Sequence, residues 1–158
     1  MFTNNVGKTL TVIECILQLA RLYPRRRILA TAPSEAAADI LVMRLLEILK
    51  KQGRNSPKKL LRLNWPHRKP ASVPISILSC CAQEYGQDIF KIPDRDEVLK
   101  NQIVVSTCVL TGILRLRGIQ RGNFDYLFID EATQALEPES FVVSFMCLYK
   151  LCKFRLID

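Results

Sequence analysis

Apolar residues recur at helical spacing over 9–22, where Val12, Ile16, Leu19 and Ala20 fall on one face. Pro24 and the triplet Arg25-Arg26-Arg27 stop that helix. The next apolar run, Ile28 to Ala32, is short and bounded by charge and by Pro33, the pattern of a strand buried on both faces. Ser34 is placed to cap a second helix from Glu35 to about Lys51. Ile40, Leu41, Met43, Leu45, Leu46 and Leu49 form its apolar side, and Gly53 marks its stop. Leu60 to Leu63 predicts a strand after a basic loop around Lys58 and Lys59. Between Asn64 and Asp96, Pro66, Pro70, Pro74 and Pro93 interrupt short apolar stretches, so loop is expected, with a short helix near Ile75 to Ala82. Gln102 to Ser106 and Tyr126 to Ile129 predict two strands flanking a helix over Val109 to Leu116. A further helix is expected after Pro138, and a last strand at Phe154 to Ile157.

Short apolar strands alternating with amphipathic helices imply an α/β fold, a parallel sheet with helices on both faces. The first helix lacks a preceding strand, so in a P-loop fold the chain is expected to begin one element late. No repeat or low-complexity segment is present.

Length and composition narrow the class. The 158 residues suffice for one domain with a real core, and 49% hydrophobic with 24% charged residues is a globular composition. Lys and Arg number 23 against 15 Asp and Glu, a net charge of +8 that suits a polyanionic partner or simply a solvated basic surface. The basic stretch Arg54, Lys58, Lys59, Arg62, His67, Arg68 and Lys69 carries the same two readings, RNA surface or solvated loop. None of the six cysteines forms a C-x-x-C pair and His67 is the lone histidine, which argues against a zinc site and for a reducing compartment. The polar start suggests no signal peptide, and the run Phe141 to Tyr149 is too short to span a bilayer.

Two segments carry the chemistry. Gly7-Lys8-Thr9 opens a helix, where free N–H groups and the helix dipole suit a phosphate. The lysine would reach the β- and γ-phosphates and the threonine hydroxyl would hold Mg²⁺, although the full motif G-x-x-x-x-G-K-[ST] asks for glycine where Phe2 stands. About 120 residues on, the apolar strand 127–129 ends in Asp130-Glu131-Ala132-Thr133-Gln134. Such a strand delivers acids to the carboxyl edge of the sheet, where Asp130 can hold Mg²⁺ and Glu131 can orient or deprotonate a water. Gln134 would add a polar group facing the γ-phosphate. Each segment is ordinary alone; together they point to a P-loop NTPase. Thr31-Ala32-Pro33-Ser34 joins a strand to a helix with small residues and donors suited to a nucleic-acid phosphate, or is simply a helix cap. Ser106 and Thr107 end another strand in hydroxyls, a weak signal by itself.

These segments, in this order, resemble superfamily 1 helicases of the Upf1-like group, and most of all the Armitage and Moloney-leukaemia-virus-10-like RNA helicases. The carrying stretches are "VGKTLTVIECILQL", "RRRILATAPSEAAADIL", "LLRLNWPHRKPASVP", "IVVSTCVLTGIL" and "FDYLFIDEATQALEPES". The resemblance implies a RecA-like P-loop domain, the first of the family's two, truncated at both ends. It implies ATP and Mg²⁺ as cofactors, with Gly7, Lys8, Thr9 and Asp130 binding nucleotide and metal, and Lys8, Asp130, Glu131 and Gln134 serving hydrolysis. It further implies single-stranded RNA as partner at Pro33, Ser34, Ser106 and Thr107, with RNA-silencing proteins, a cytoplasmic setting and a monomer. The chain departs from the pattern in two places. Phe2-Thr3-Asn4-Asn5-Val6 stands where the family has G-P-P-G-T, and Glu35 replaces an asparagine, setting a negative charge near a phosphate path. The family completes its site with an arginine from the second domain, so no unwinding is expected of this chain alone. A non-catalytic RNA- or protein-binding module and a DNA-directed helicase remain the other readings.

Overall fold

A computed structural model describes residues 5–51, 60–84, 88–144, 146 and 151–153. Five parallel strands form one sheet: β1 (Ile28–Ala32), β2 (Leu60–Arg62), β3 (Ile103–Thr107), β4 (Tyr126–Ile129) and β5 (Leu151–Lys153), in the order β2-β3-β1-β4-β5. Strands β1 and β3 are buried on both faces, as their largely apolar runs suggest, with the hydroxyls of Thr31, Ser106 and Thr107 buried at their carboxyl ends.

Alternation sends successive residues to opposite cores. Ile28, Ala30, Ala32, Ile103, Val105 and Phe128 meet Val12, Ile13 and Ile16 of α1 (Asn5–Leu22) and Leu41, Val42 and Leu45 of α2 (Glu35–Lys51). Leu29, Val104, Leu127 and Ile129 meet Val98 of α4 (Arg95–Leu99), Leu110 and Leu114 of α5 (Cys108–Leu116), and Val143 of α6 (Glu137–Ser144). Helices therefore cover both faces, and the fold is the expected RecA-like α/β sheet. Because every strand runs the same way, the carboxyl ends share one edge. Thr31 is level with Ser106 and Ile129, so Pro33, Cys108 and Asp130 leave the sheet together.

The structure adjusts several expectations. Helix α1 starts at Asn5 rather than Thr9. In α2 the buried stripe takes Val42 and leaves Ile40 46% exposed. The helix expected over Ile75 to Ala82 stops as α3 (Ile75–Leu78). Its continuation is drawn into the sheet edge, where the Arg62 amide donates to the Cys80 carbonyl at 2.7 Å and Arg62 bridges to Cys81. A helix at the end of the expected loop, α4, is started by Asp94, whose side chain accepts from the Glu97 amide at 2.8 Å. The expected strand Phe154 to Ile157 lies outside the described residues; β5 pairs with β4 just before it.

Candidate nucleotide and nucleic-acid site

Helix α1 and strand β4 bring the two chemical segments together. The Thr9 hydroxyl, on the second turn of α1, donates to Asp130 Oδ2 at 3.1 Å across 121 residues of sequence. Asp130 follows β4 directly and is only 5% exposed, with its amide tied to the Thr31 carbonyl at 2.8 Å. Its other oxygen accepts from the Glu131 amide at 3.1 Å, so both carboxylate oxygens are oriented. Thr31, read in the sequence as part of a strand-to-helix segment with donors, is buried and donates from its hydroxyl to the Phe128 carbonyl at 3.3 Å, just ahead of the acids.

The amides of Asn5, Val6 and Gly7, in the first turn of α1, have no acceptor within the helix, the arrangement by which a helix N-terminus meets an anion. Among the described residues, no atom beyond Gly7's chain neighbours and its own helix backbone lies within 4 Å of the place a Cβ there would occupy. The Lys8 side chain and residues 1–4 lie outside the described residues. Among the described residues no cluster of three His, Cys, Asp or Glu side chains forms a metal cage. Mg²⁺ carried by a nucleotide does not need one, since a hydroxyl and a carboxylate supplement phosphate and water oxygens. Thr9 and Asp130 are hard oxygen donors already within hydrogen-bond distance, so the residues present fit Mg²⁺ and a nucleotide phosphate.

Glu131 sits in a left-handed backbone conformation, φ 52°, unusual for a residue with a Cβ. Burial raises its pKa above the usual carboxylate value and the neighbouring Asp130 charge adds to the rise. A strained backbone and a carboxylate that holds its proton more tightly than usual are both common where a side chain is aimed at chemistry. Gln134 is exposed, with its amide donating to the Glu131 carbonyl at 2.9 Å in the turn after the acids.

The candidate nucleic-acid residues occupy the same sheet edge. Ser34 caps α2, its hydroxyl accepting from the Ala37 amide at 3.1 Å, while Pro33 is half-buried beside it. Ser106 and Thr107 lie inside. The Ser106 hydroxyl donates to the Thr107 carbonyl at 3.1 Å, and the Thr107 hydroxyl accepts from the Leu110 amide at 3.2 Å to cap α5. Their side chains are committed to the fold, which leaves backbone groups as the means by which this turn could meet a ligand.

The basic stretch divides. His67 and Lys69 are exposed, and Arg54, Lys58 and Lys59 lie outside the described residues. Arg62 and Arg68 are neither RNA surface nor solvated loop, because both turn inward onto Glu35 and Asp39 of α2. Hydrogen bonding to Asp39 raises the Arg68 pKa further still. Glu35 thus does not carry a free negative charge. Sequence adjacency suggested a cationic patch, whereas the partners sit more than twenty residues upstream on another element.

Known proteins place this arrangement. The AAA domain family matches residues 5–85 and 76–150. The human RNA helicase Mov10l1 is 35% identical over 136 residues, covering 86% of this chain and 10% of its own length. The Drosophila melanogaster protein named "Probable RNA helicase armi" is 31% identical over 150 residues, covering 86% of this chain and 12% of its own. The chain therefore spans about a tenth of the relatives it matches. With its RecA-like sheet and the Thr9–Asp130 contact, the chain belongs to the AAA domain family and, within it, to the Upf1-like helicases of the Armitage and Moloney-leukaemia-virus-10-like group.

Proposed function

We propose that this chain is the nucleotide-binding first RecA-like domain of an ATP-dependent RNA helicase. The observation that carries the reading is the hydrogen bond between Thr9 and Asp130, which joins the helix-start and strand-end motifs into one site. Gly7 and Lys8 would hold the phosphates, and Thr9 and Asp130 would hold Mg²⁺. The bound metal supplies charge neutralisation on the phosphates. Glu131, beside Asp130, would orient and deprotonate the attacking water, with Gln134 facing the γ-phosphate. Single-stranded RNA would lie along the carboxyl edge, on the α2 N-terminus after Pro33-Ser34 and on the backbone at Ser106-Thr107.

Among the described residues no Arg or Lys is ion-paired with Asp130 or Glu131. We expect slow hydrolysis and no strand separation from this chain by itself, since in related NTPases an arginine finger supplied by another domain is worth about 10³–10⁵ in rate. A role in RNA silencing alongside silencing proteins, a cytoplasmic location and a monomeric state complete the proposal. No helix among the described residues is long and apolar enough to cross a membrane.

One observation favours a second reading. Asn5 and Val6 are helical, where the family has the last residues of a glycine-rich loop, and a helix wraps phosphate less fully than such a loop. A non-catalytic RNA-binding module is the alternative it supports. Titration calorimetry with a non-hydrolysable ATP analogue and Mg²⁺ separates the two. The helicase reading expects binding that falls about tenfold or more in Lys8→Ala, the loss of one charge-assisted phosphate contact. RNA binding indifferent to both nucleotide and Lys8 supports the module.

A further inference from the structure

Arg62 and Arg68 build a neutral, largely buried cluster on the first turn of α2. The Arg62 side chain is 0% exposed. It donates to Asp39 Oδ1 at 3.0 Å, to Glu35 Oε2 at 2.5 Å, to the Glu35 carbonyl at 3.3 Å and to the Leu63 carbonyl. Arg68 stacks a second fork on the same acids, reaching Asp39 Oδ2 at 2.5 Å, Asp39 Oδ1 at 3.1 Å and Glu35 Oε2 at 2.9 Å. It also donates to Asn64 Oδ1 at 2.8 Å, which secures the loop that carries it. Glu35 and Asp39 are one helical turn apart, immediately after Pro33-Ser34.

Two consequences follow from this geometry. Each guanidinium is spent on carboxylates, so the cluster presents no net cation to a passing phosphate. The cluster also fixes where α2 begins. The Ala37 and Ala38 amides are taken by the Ser34 hydroxyl and carbonyl, at 3.1 and 3.0 Å. That leaves the Glu35 and Ala36 amides, which have no acceptor inside the helix, on a turn that Arg68 holds. Glu35 Oε1 is buried without a hydrogen-bond partner, so the carboxylate is held by its other oxygen alone. Loosening Arg68 would free both the acid and the turn.

We propose that Arg68, supported by Arg62, is a positioning residue for RNA: it locks the first turn of α2 so that its free amides meet a phosphate, and touches no RNA itself. This rests on the reading that single-stranded RNA crosses Pro33-Ser34. Bidentate geometry is the reason for arginine here, since a lysine keeps the charge but cannot fork across two carboxylates.

The test uses the whole chain, a short fluorescein-labelled oligouridylate, and anisotropy titrations over a range of salt, with thermal melts of each variant. Arg68→Lys should bind about 3- to 10-fold more weakly, the scale of one lost phosphate hydrogen bond, with an unchanged salt slope. The paired variant Arg68→Gln with Glu35→Gln removes opposite charges together and should also weaken binding at constant slope. If that pair reduces the slope by about one, Arg68 contacts phosphate directly and the proposal falls. Unchanged affinity in Arg68→Lys overturns it equally. Loss of a cooperative melt in Arg68→Lys would do the same, assigning the cluster to the fold alone. A wild-type chain that binds no oligouridylate overturns the RNA reading itself, an outcome distinct from the others.

Discussion

At Glu131 a backbone outlier and a raised pKa coincide next to the buried Asp130. The sign of the stability effect follows from the direction of the shift. A carboxyl whose folded pKa lies above its unfolded value favours the protonated form in the fold, so its contribution is most favourable at acidic pH and is lost as pH rises through the folded pKa. Glu131→Gln removes the burden of ionising that group. The variant should melt at a higher temperature than wild type near pH 7, and the gain should vanish below the ordinary carboxylate range, as thermal melts at the two pH values would show. With Glu131 as the proposed general base, the same shift should move the acid limb of the hydrolysis profile to higher pH, because a general base must be deprotonated. That Thr9 and Asp130 belong together was legible in the sequence because each sits in one of two motifs that the hydrogen bond between them joins. The partners of Arg62 and Arg68 were not. A run of basic residues says nothing about carboxylates on a different helix, and only the fold brings Glu35 and Asp39 beneath them.

Elements were legible where apolar periodicity and a cap agreed. Strands β1 and β4 and helix α2 stand within the bounds their sequence implies. The serine before α2 behaves as its type predicts, and Ser34→Ala should cost about 1 kcal/mol in chemical denaturation, Ser34→Gly only a few tenths. The Thr107 hydroxyl performs the same service for α5, so Thr107→Ala should cost about as much. Less legible were the stretches where proline interrupts the pattern and tertiary pairing decides. Helix α3 ends because Cys80 and Cys81 pair with the strand carrying Arg62, a long-range demand with no local signature. Helix α4 does have one, Asp94 after Pro93 with Glu97 three residues on, but the helix is too short to show a period.

Over the whole molecule, the α/β architecture followed from near-continuous apolar strands between amphipathic helices, the composition of a sheet covered on both faces. What sequence could not give was the division of labour between the two cores, since strand residues of alternating parity look alike. Ile16 and Leu114 are both 0% exposed, one in each core. Ile16→Ala and Leu114→Ala should each destabilise by about 2–5 kcal/mol, and the losses should add within about 0.5 kcal/mol because the sheet separates them. Urea denaturation of the singles and the double checks this; strong coupling would mean that the two cores are not independent.

The parallel sheet has one carboxyl edge, and the account rests on that edge being a Mg²⁺-nucleotide site in which Thr9 and Asp130 share the metal. The Mg²⁺ dependence of ATP-analogue affinity, measured by calorimetry in wild type, Thr9→Val, Asp130→Asn and the double variant, tests it most directly. Wild type should bind more tightly with Mg²⁺ than without, each single variant should lose most of that gain, and the double should be little worse than either single. A Mg²⁺ gain that survives in all four proteins, or a wild type that binds no nucleotide, would contradict it.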